Sequence, residues 1–322
     1  MRFVIYGAGA IGGVVGARLH QSGHDVALIA RGAHLEAIRR SGLTLETPVE
    51  RTVLELPAAE DPAELGLGGE DVVLLATKSQ DTAQALDVLR RAGAVDVPIV
   101  CLQNGVENER SALRRFGAVY GAVVMLPAAH LEAGVVQAYG SKLTGIVDLG
   151  RFPGGVDRLA EEVAGALAAS QLSSRTQPDI MRFKYAKLIM NLGNAVSALC
   201  EPGESSQELT ETAREEGRRA LTAAGVDFEA PEVADLEGRW ERIGVGAVGG
   251  RDRAGSSSWQ SLARGTGAIE TDYLNGEIAL LGRLHGVDTP VNVALCRLAD
   301  RQARAGSGPG EIDPAEILAA AR

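Results

Sequence analysis

Lysine is nearly absent from this sequence: of 32 basic residues only Lys78, Lys142, Lys184 and Lys187 are lysine, which leaves 28 arginines. A surface cation here is almost always arginine, so each lysine raises the question of what arginine could not supply. Cysteine is equally scarce. Cys101, Cys200 and Cys296 lie far apart, with neither a C-x-x-C pair nor metal-ligand spacing. That pattern fits a reducing, cytoplasmic compartment. Of the five histidines only His20 and His24 stand four apart, and they lack the H-E-x-x-H pattern and have Gly23 between them to end the helix, so no metal is expected. No apolar run reaches the roughly 18 residues that would cross a membrane. No leader precedes the first apolar run, so no signal peptide is expected. Positive charge is also in deficit. The formal net charge of −10 argues against a nucleic acid or an anionic membrane surface as partner.

What is present is an ordinary globular composition, 45% hydrophobic and 23% charged over 322 residues, enough for one large or two ordinary domains. The chain is organised around its start. The apolar run Phe3-Val4-Ile5-Tyr6 leads into Gly7-Ala8-Gly9-Ala10-Ile11-Gly12, which reads G-x-G-x-x-G, and a helical stretch follows to about Gln21. Gly7 permits a tight turn, Gly9 admits a pyrophosphate to the backbone, and Gly12 lets the helix pack on the strand. A purely structural glycine turn is the plain alternative. Against it stands the context: a strand before, a helix after, and a second strand, Val26–Ala30, at the right distance. That second strand ends in Arg31, where an NAD-binding unit usually carries Asp or Glu for the ribose 2′-hydroxyl. A guanidinium suits a 2′-phosphate instead, so the expected cofactor is NADP(H).

Further buried strands read at Asp71–Ala76 and Pro98–Leu102, opening into Thr77-Lys78-Ser79-Gln80 and Gln103-Asn104-Gly105. Strands alternating with helices and short loops imply an α/β, Rossmann-type doubly wound sheet. Ligands bind outside the carboxyl ends of such strands, so Lys78 and Asn104 belong to the same rim as the glycine turn. More strands read at Val119–Met125, Val135–Tyr139 and Thr144–Leu149. At Thr176-Gln177-Pro178-Asp179 the character changes to a capping-box pattern followed by helix signals. The expected division is an NADP(H)-binding domain over 1–176 and an all-helical C-terminal domain over 177–322.

The first helix of that second half places Lys187, Asn191 and Asn194 at i, i+4, i+7, on one face. This is either a wet face or a polar stripe lining a site. In a chain so rich in Arg and Glu, one Lys and two Asn favour the stripe. Ser256-Ser257-Ser258 precedes Glu270-Thr271-Asp272-Tyr273, and serine hydroxyls suit a substrate carboxylate.

These pieces together resemble the ketopantoate reductase (2-dehydropantoate 2-reductase) family over essentially the whole chain. The matching segments are GAGAIG at Gly7–Gly12, LIAR at Leu28–Arg31, TKSQ at Thr77–Gln80, QNG at Gln103–Gly105, KLIMN at Lys187–Asn191, SSWQS at Ser257–Ser261 and ETDYLNGEI at Glu270–Ile278. The resemblance implies an NADPH-dependent reduction of ketopantoate to D-pantoate for pantothenate and coenzyme A. It implies Lys187 as catalytic lysine and Glu270 as its acidic partner. Asn104, Asn191 and Ser258 then bind substrate, with Asn194 on the same stripe, and Lys78 and Asn104 lie near the nicotinamide. The expected site is a cleft between the domains. Two features depart from the family. Trp259-Gln260-Ser261 stands where many members have Gln-Asp after the serine pair, and Asn194 follows Asn191 by three residues rather than four. Both bear on which 2-oxo acid is the substrate. The rivals are a reductase of another branched 2-oxo acid or pathway-specific ketone, and a non-catalytic NADP(H)-binding sensor, which would need neither Lys187 nor Glu270. A homodimer is left open.

Overall fold

A computed structural model of the chain describes residues 1–229, 235–265 and 267–321. The chain forms two compact units, Met1–Lys184 with Pro231–Arg253, and Tyr185–Ala230 with Ala254–Arg322.

In the first unit the strands are β1 (Arg2–Tyr6), β2 (Asp25–Ile29), β3 (Leu43–Glu46), β4 (Arg51–Leu54), β5 (Ala58–Ala59), β6 (Asp71–Leu75), β7 (Ile99–Cys101), β8 (Val119–Met125), β9 (Ala128–Ala129), β10 (Val135–Ala138), β11 (Gly145–Arg151) and β12 (Leu172–Ser173). Eight of them form one sheet in the order β12-β11-β8-β7-β6-β1-β2-β5. From β5 to β8 every pairing is parallel, and β11 closes antiparallel on β8. Strand order reverses between β1 and β6, so the crevice where ligands bind such sheets opens beyond Tyr6 and Leu75. A charge pair sets the register at the other end of these two strands. Arg2 Nε donates to Asp71 Oδ1 at 2.6 Å and its Nη2 to Oδ2 at 2.9 Å, between directly paired residues.

The continuous apolar strands are buried on both faces, as helix-covered parallel strands require. The period of two divides β1 between two cores. Phe3 and Ile5 join the cluster of α1 (Ala10–Gln21), whereas Val4 joins that of α3 (Thr82–Arg91). Between these helices in sequence lies α2 (Gly32–Ser41). A second sheet, β4-β3-β10-β9, adds Leu43, Leu45 and Val136 to the first of these cores. The unit also holds α4 (Asn108–Leu113) and α5 (Arg158–Ala168).

The second unit is helical: the later part of α6 (Ile180–Asn191), α7 (Gly193–Leu199), α8 (Glu204–Ala223), then, after α9 (Leu236–Ile243) of the first unit, α10 (Ser257–Ala263), α11 (Asn275–His285), α12 (Pro290–Ala305) and α13 (Pro314–Ala320). Its centre is polar as well as apolar. Buried Glu216 accepts from the Val291 and Asn292 N–H groups, both at 3.0 Å, in the first turn of α12. A carboxylate there satisfies orphan donors and complements the helix dipole.

Two expectations meet a different arrangement. The capping box at Thr176 does not form. Thr176 bridges to Leu149 and Gln177 N donates to Leu149 O, so this stretch extends the sheet edge and α6 starts only at Ile180. The units accordingly divide at Lys184/Tyr185 rather than 176/177, and residues 231–253 go with the first. The reason lies in side chains. Ile180 and Lys184 are buried within the first unit, and Arg239 reaches the buried Asp148 at 2.6 Å.

Candidate active site

The glycine turn shows three different constraints. Gly7 has φ of +102° and a Cβ there would lie 2.9 Å from Thr77 N, so the chain just beyond β6 presses against the turn. Gly12 is packed harder: a Cβ would strike the Gly7 carbonyl oxygen and sit 2.8 Å from Ile5 Cγ2 and 2.9 Å from Ala76 Cβ. Gly9 is the opposite case, since a Cβ would meet nothing within 4 Å. Open space at the middle glycine, with close packing on both sides, is what a backbone cradle for a pyrophosphate needs. Gly9 is also the N-cap of α1, whose first turn has no capping side chain and no acidic residue. Ala8, Ala10 and Ile11 complete the turn. The residues present therefore fit a dinucleotide.

Arg31 closes β2 with its side chain 77% exposed, and its Nη2 reaches Asp81 Oδ2 at 3.2 Å. Lys78 caps the short 3-10 turn Ser79–Asp81 beyond β6. Asn104 follows β7. A buried network joins these ends. Gln103 Nε2 donates to Thr77 O at 3.0 Å and Thr82 Oγ1 at 2.7 Å, and Thr82 Oγ1 donates to Asn108 Oδ1 at 2.8 Å. Asn108 Nδ2 in turn donates to Ser79 Oγ at 3.1 Å and Asn104 O at 3.0 Å. The first unit thus brings Gly7–Gly12, Arg31, Lys78 and Asn104 to one rim.

In the second unit the helix bearing Lys187 ends at Asn191, and Asn194 belongs to α7. The expected unbroken stripe is interrupted at Leu192-Gly193. Asn275 Nδ2 takes the Leu192 carbonyl at 3.1 Å, and a Cβ on Gly193 would sit 2.8 Å from Thr210 Cγ2. Lys187 and Asn194 are half-buried and Asn191 is 5% exposed. Asn191 Nδ2 is buried without a hydrogen-bond partner. Ser256 caps α10 and its Oγ donates to Asn194 O at 3.2 Å, which joins the serine cluster to α7. Ser258 is buried in the first turn of α10, and buried Glu270 opens a 3-10 turn before α11. Trp259 lies over Gly255, whose Cβ its ring would exclude, so this departure from the family pattern has a packing role.

Two family models cover most of the chain: Ketopantoate reductase PanE/ApbA over residues 3–154 and Ketopantoate reductase PanE/ApbA C terminal over 179–303. The chain belongs to the ketopantoate reductase family. It is similar to 2-dehydropantoate 2-reductase of Pyrococcus horikoshii, 30% identical over 96% of this chain and 99% of the relative. Among solved structures it is similar to a PanE/ApbA family ketopantoate reductase from Ralstonia eutropha, with TM-score 0.79 and 29% identity over 95% of this chain and 99% of that one. The fold is shared with D-mandelate dehydrogenase in ternary complex with NADH and anilino(oxo)acetate, with TM-score 0.77 and 23% identity over 99% of this chain and 100% of that one.

The chain is therefore an oxidoreductase acting on a CH–OH group, with a Rossmann-type unit and a helical one. Among the described residues no helix is long and apolar enough to cross a membrane, and no His, Cys, Asp and Glu cluster could hold a metal.

Several residues around the ketopantoate reductase motifs escape sequence reading. His34 Nε2 lies 2.7 Å from Ala8 O, while the Gly134 N–H donates to its Nδ1 at 2.9 Å. The ring so ties the glycine turn to Gly134. The Gln103–Thr82–Asn108 network and the buried Lys184–Glu109 pair are equally silent, except that Lys184 is one of the four lysines.

Proposed function

We propose that the protein reduces a 2-oxo acid with NADPH, and that its substrate is 2-dehydropantoate, giving D-pantoate. The observation that carries the reading is Asn191. A buried amide donor without a partner costs about 1–3 kcal/mol, and it lies one turn beyond Lys187. A substrate oxygen would satisfy it.

When bound, NADPH supplies a hydride to the ketone carbon. The charge that develops on the carbonyl oxygen needs a cation or a proton. Lys187 can give both, whereas arginine could give only the charge. Glu270 orients that ammonium or accepts from the substrate hydroxyl. Ser258, Asn191 and Asn104 hold the carboxylate and hydroxyl oxygens, with Asn194 beside them. Gly7–Gly12 would take the pyrophosphate, Arg31 the 2′-phosphate, and Lys78 and Asn104 the nicotinamide end.

A second reading, reduction of another branched 2-oxo acid, is favoured by Trp259-Gln260-Ser261 and by the placement of Asn194 on a separate helix. The test is NADPH absorbance decay with 2-dehydropantoate and with a panel of other 2-oxo acids. Lys187→Ala should lower turnover about 10²–10⁴-fold while leaving NADPH binding intact, and Lys187→Arg should restore little. Near wild-type turnover in Lys187→Ala at saturating substrate would put the proton source elsewhere.

A further inference from the structure

Lys184 and Glu109 form a deeply buried ion pair, with side chains 3% and 0% exposed and Nζ 2.6 Å from Oε1. Such pairs are poor sources of stability. Desolvation of both ions offsets their attraction, and an apolar pair of similar volume is often as stable. Here the pair is also incompletely satisfied, because both Glu109 carboxylate oxygens are buried without a hydrogen bond, Oε1 having only its ionic contact with Lys184. Burial pushes the Glu109 carboxyl up from its ordinary range. The fold nonetheless makes room for it: a Cβ on Gly121 of β8 would lie 3.3 Å from both Glu109 Oε1 and Lys184 Cδ.

What the pair holds suggests its use. The ammonium has three donors. Its Nζ forms the ion pair with Glu109 and donates to Gln103 O at 2.9 Å and to Ala122 O at 3.3 Å. The Gln103 carbonyl belongs to the peptide plane that enters Asn104. The plane that leaves it carries the Asn104 carbonyl, which accepts from Asn108 Nδ2 at 3.0 Å. Peptide planes are rigid, so holding both fixes φ and ψ at the residue between them and hence the direction of its Cβ. Gly105, at φ +77°, then turns the chain away.

We propose that Lys184, set by Glu109, is a positioning residue that aims Asn104 at the substrate. This rests on the reading of Asn104 as a substrate ligand. It also accounts for a lysine in an arginine-rich chain. A compact ammonium meets one carboxylate and two divergent carbonyls, which a planar guanidinium fork could not do in the same space.

The test uses the full chain carrying K184M/E109L, an apolar pair of similar volume. Thermal melting, hydrogen exchange of the 102–106 amides, and the KM values for 2-dehydropantoate and NADPH are read together. The expected result is a melting temperature at or near that of the parent protein, at least tenfold faster exchange at 102–106, and a substrate KM raised tenfold or more with a smaller rise in the NADPH KM, because the glycine turn and Arg31 are untouched. Unchanged exchange and substrate KM in a stable double variant would overturn the proposal, because the pair would then only hold helix to sheet. Should the double variant not fold, K184M/E109Q serves, since it also leaves no buried charge; the same two outcomes decide. If the parent protein reduces no 2-oxo acid, the functional reading fails, and exchange alone decides whether the pair orders the Asn104 loop.

Discussion

Arg31 illustrates how little a single contact need look like a site. It is largely exposed and its partner Asp81 lies 3.2 Å away, a pairing worth little in water. Its interest is position, at the end of β2 where the adenosine ribose of a bound dinucleotide falls. A 2′-phosphate there would gain a charge-assisted contact of about 1.5–3 kcal/mol. Arg31→Ala should therefore raise the KM for NADPH roughly tenfold or more and leave that for NADH nearly unchanged. Equal effects on the two cofactors would remove Arg31 from the cofactor site. His34 offers a second residue-scale prediction. Because the Gly134 N–H donates to Nδ1, the ring proton sits on Nε2 and reaches Ala8 O. Burial first, and then the facing His130 ring at 4.1 Å, hold its pKa below the ordinary 6.5. The folded state thus prefers the neutral ring, and the unfolded chain takes up the proton first. His34's contribution is complete above pH 6.5 and is lost as pH falls below it through the lower folded pKa. Denaturant unfolding from pH 7.5 to 5 should show a steeper loss in the parent protein than in His34→Gln. Identical slopes would place the acid sensitivity elsewhere.

At the scale of elements, the strand–turn–helix unit makes a paired prediction from its glycines. Gly9 has φ of −74° and open space for a Cβ, so Gly9→Ala should fold normally. Its methyl would lie where the pyrophosphate approaches, so the dissociation constant for NADPH should rise with no change in apo melting temperature. Gly12→Ala drives a methyl into the Gly7 carbonyl and Ile5, and should cost about 1–3 kcal/mol of stability as well as affinity. Melting of the apo forms together with a cofactor titration separates the two. Equal destabilisation by both would mean the turn is not a preformed cradle. This unit was legible in the sequence because each of its signals is local: an apolar run, a glycine spacing, a helix behind it. The parallel strands β6 and β7 were legible for the same reason. Thr176 was misleading because a capping pattern is only a local preference, and pairing with Leu149 outweighs it. The break between Asn191 and Asn194 was invisible because its cause, Asn275, is 83 residues from Leu192. The Gln103–Thr82–Asn108 network likewise joins residues whose nearness only the strand order creates.

At the scale of the whole molecule, the chain leaves the first unit after Lys184 and returns to it from Pro231 to Arg253. No composition shift marks that return. Physically it is held by several contacts within the first unit. Ser141 N donates to Gly244 O at 2.7 Å, Gly246 N donates to Tyr139 O at 2.8 Å, and Arg239 meets Asp148 at 2.6 Å with both side chains buried. Asp148 lies in β11, where its Oδ1 also accepts from the Arg175 N–H at 3.0 Å. The first unit is therefore completed by a segment from the half of the sequence that the C-terminal family model covers. Breaking a buried pair by removing one partner typically costs about 3–5 kcal/mol, because the remaining charge has no compensation. Arg239→Ala should accordingly destabilise the dinucleotide-binding unit, although residue 239 is more than 200 positions from the glycine turn. The expected signature is a lower melting temperature that saturating NADPH raises again, since a ligand bound only by the folded unit stabilises it by about 2.7 kcal/mol at a hundredfold excess over its dissociation constant. Asp148→Asn with Arg239→Met should be milder than Arg239→Ala alone, because it leaves no buried charge. If Arg239→Ala melted like the parent protein, the returning segment would contribute no stability to the first unit, and its buried contacts there would be incidental.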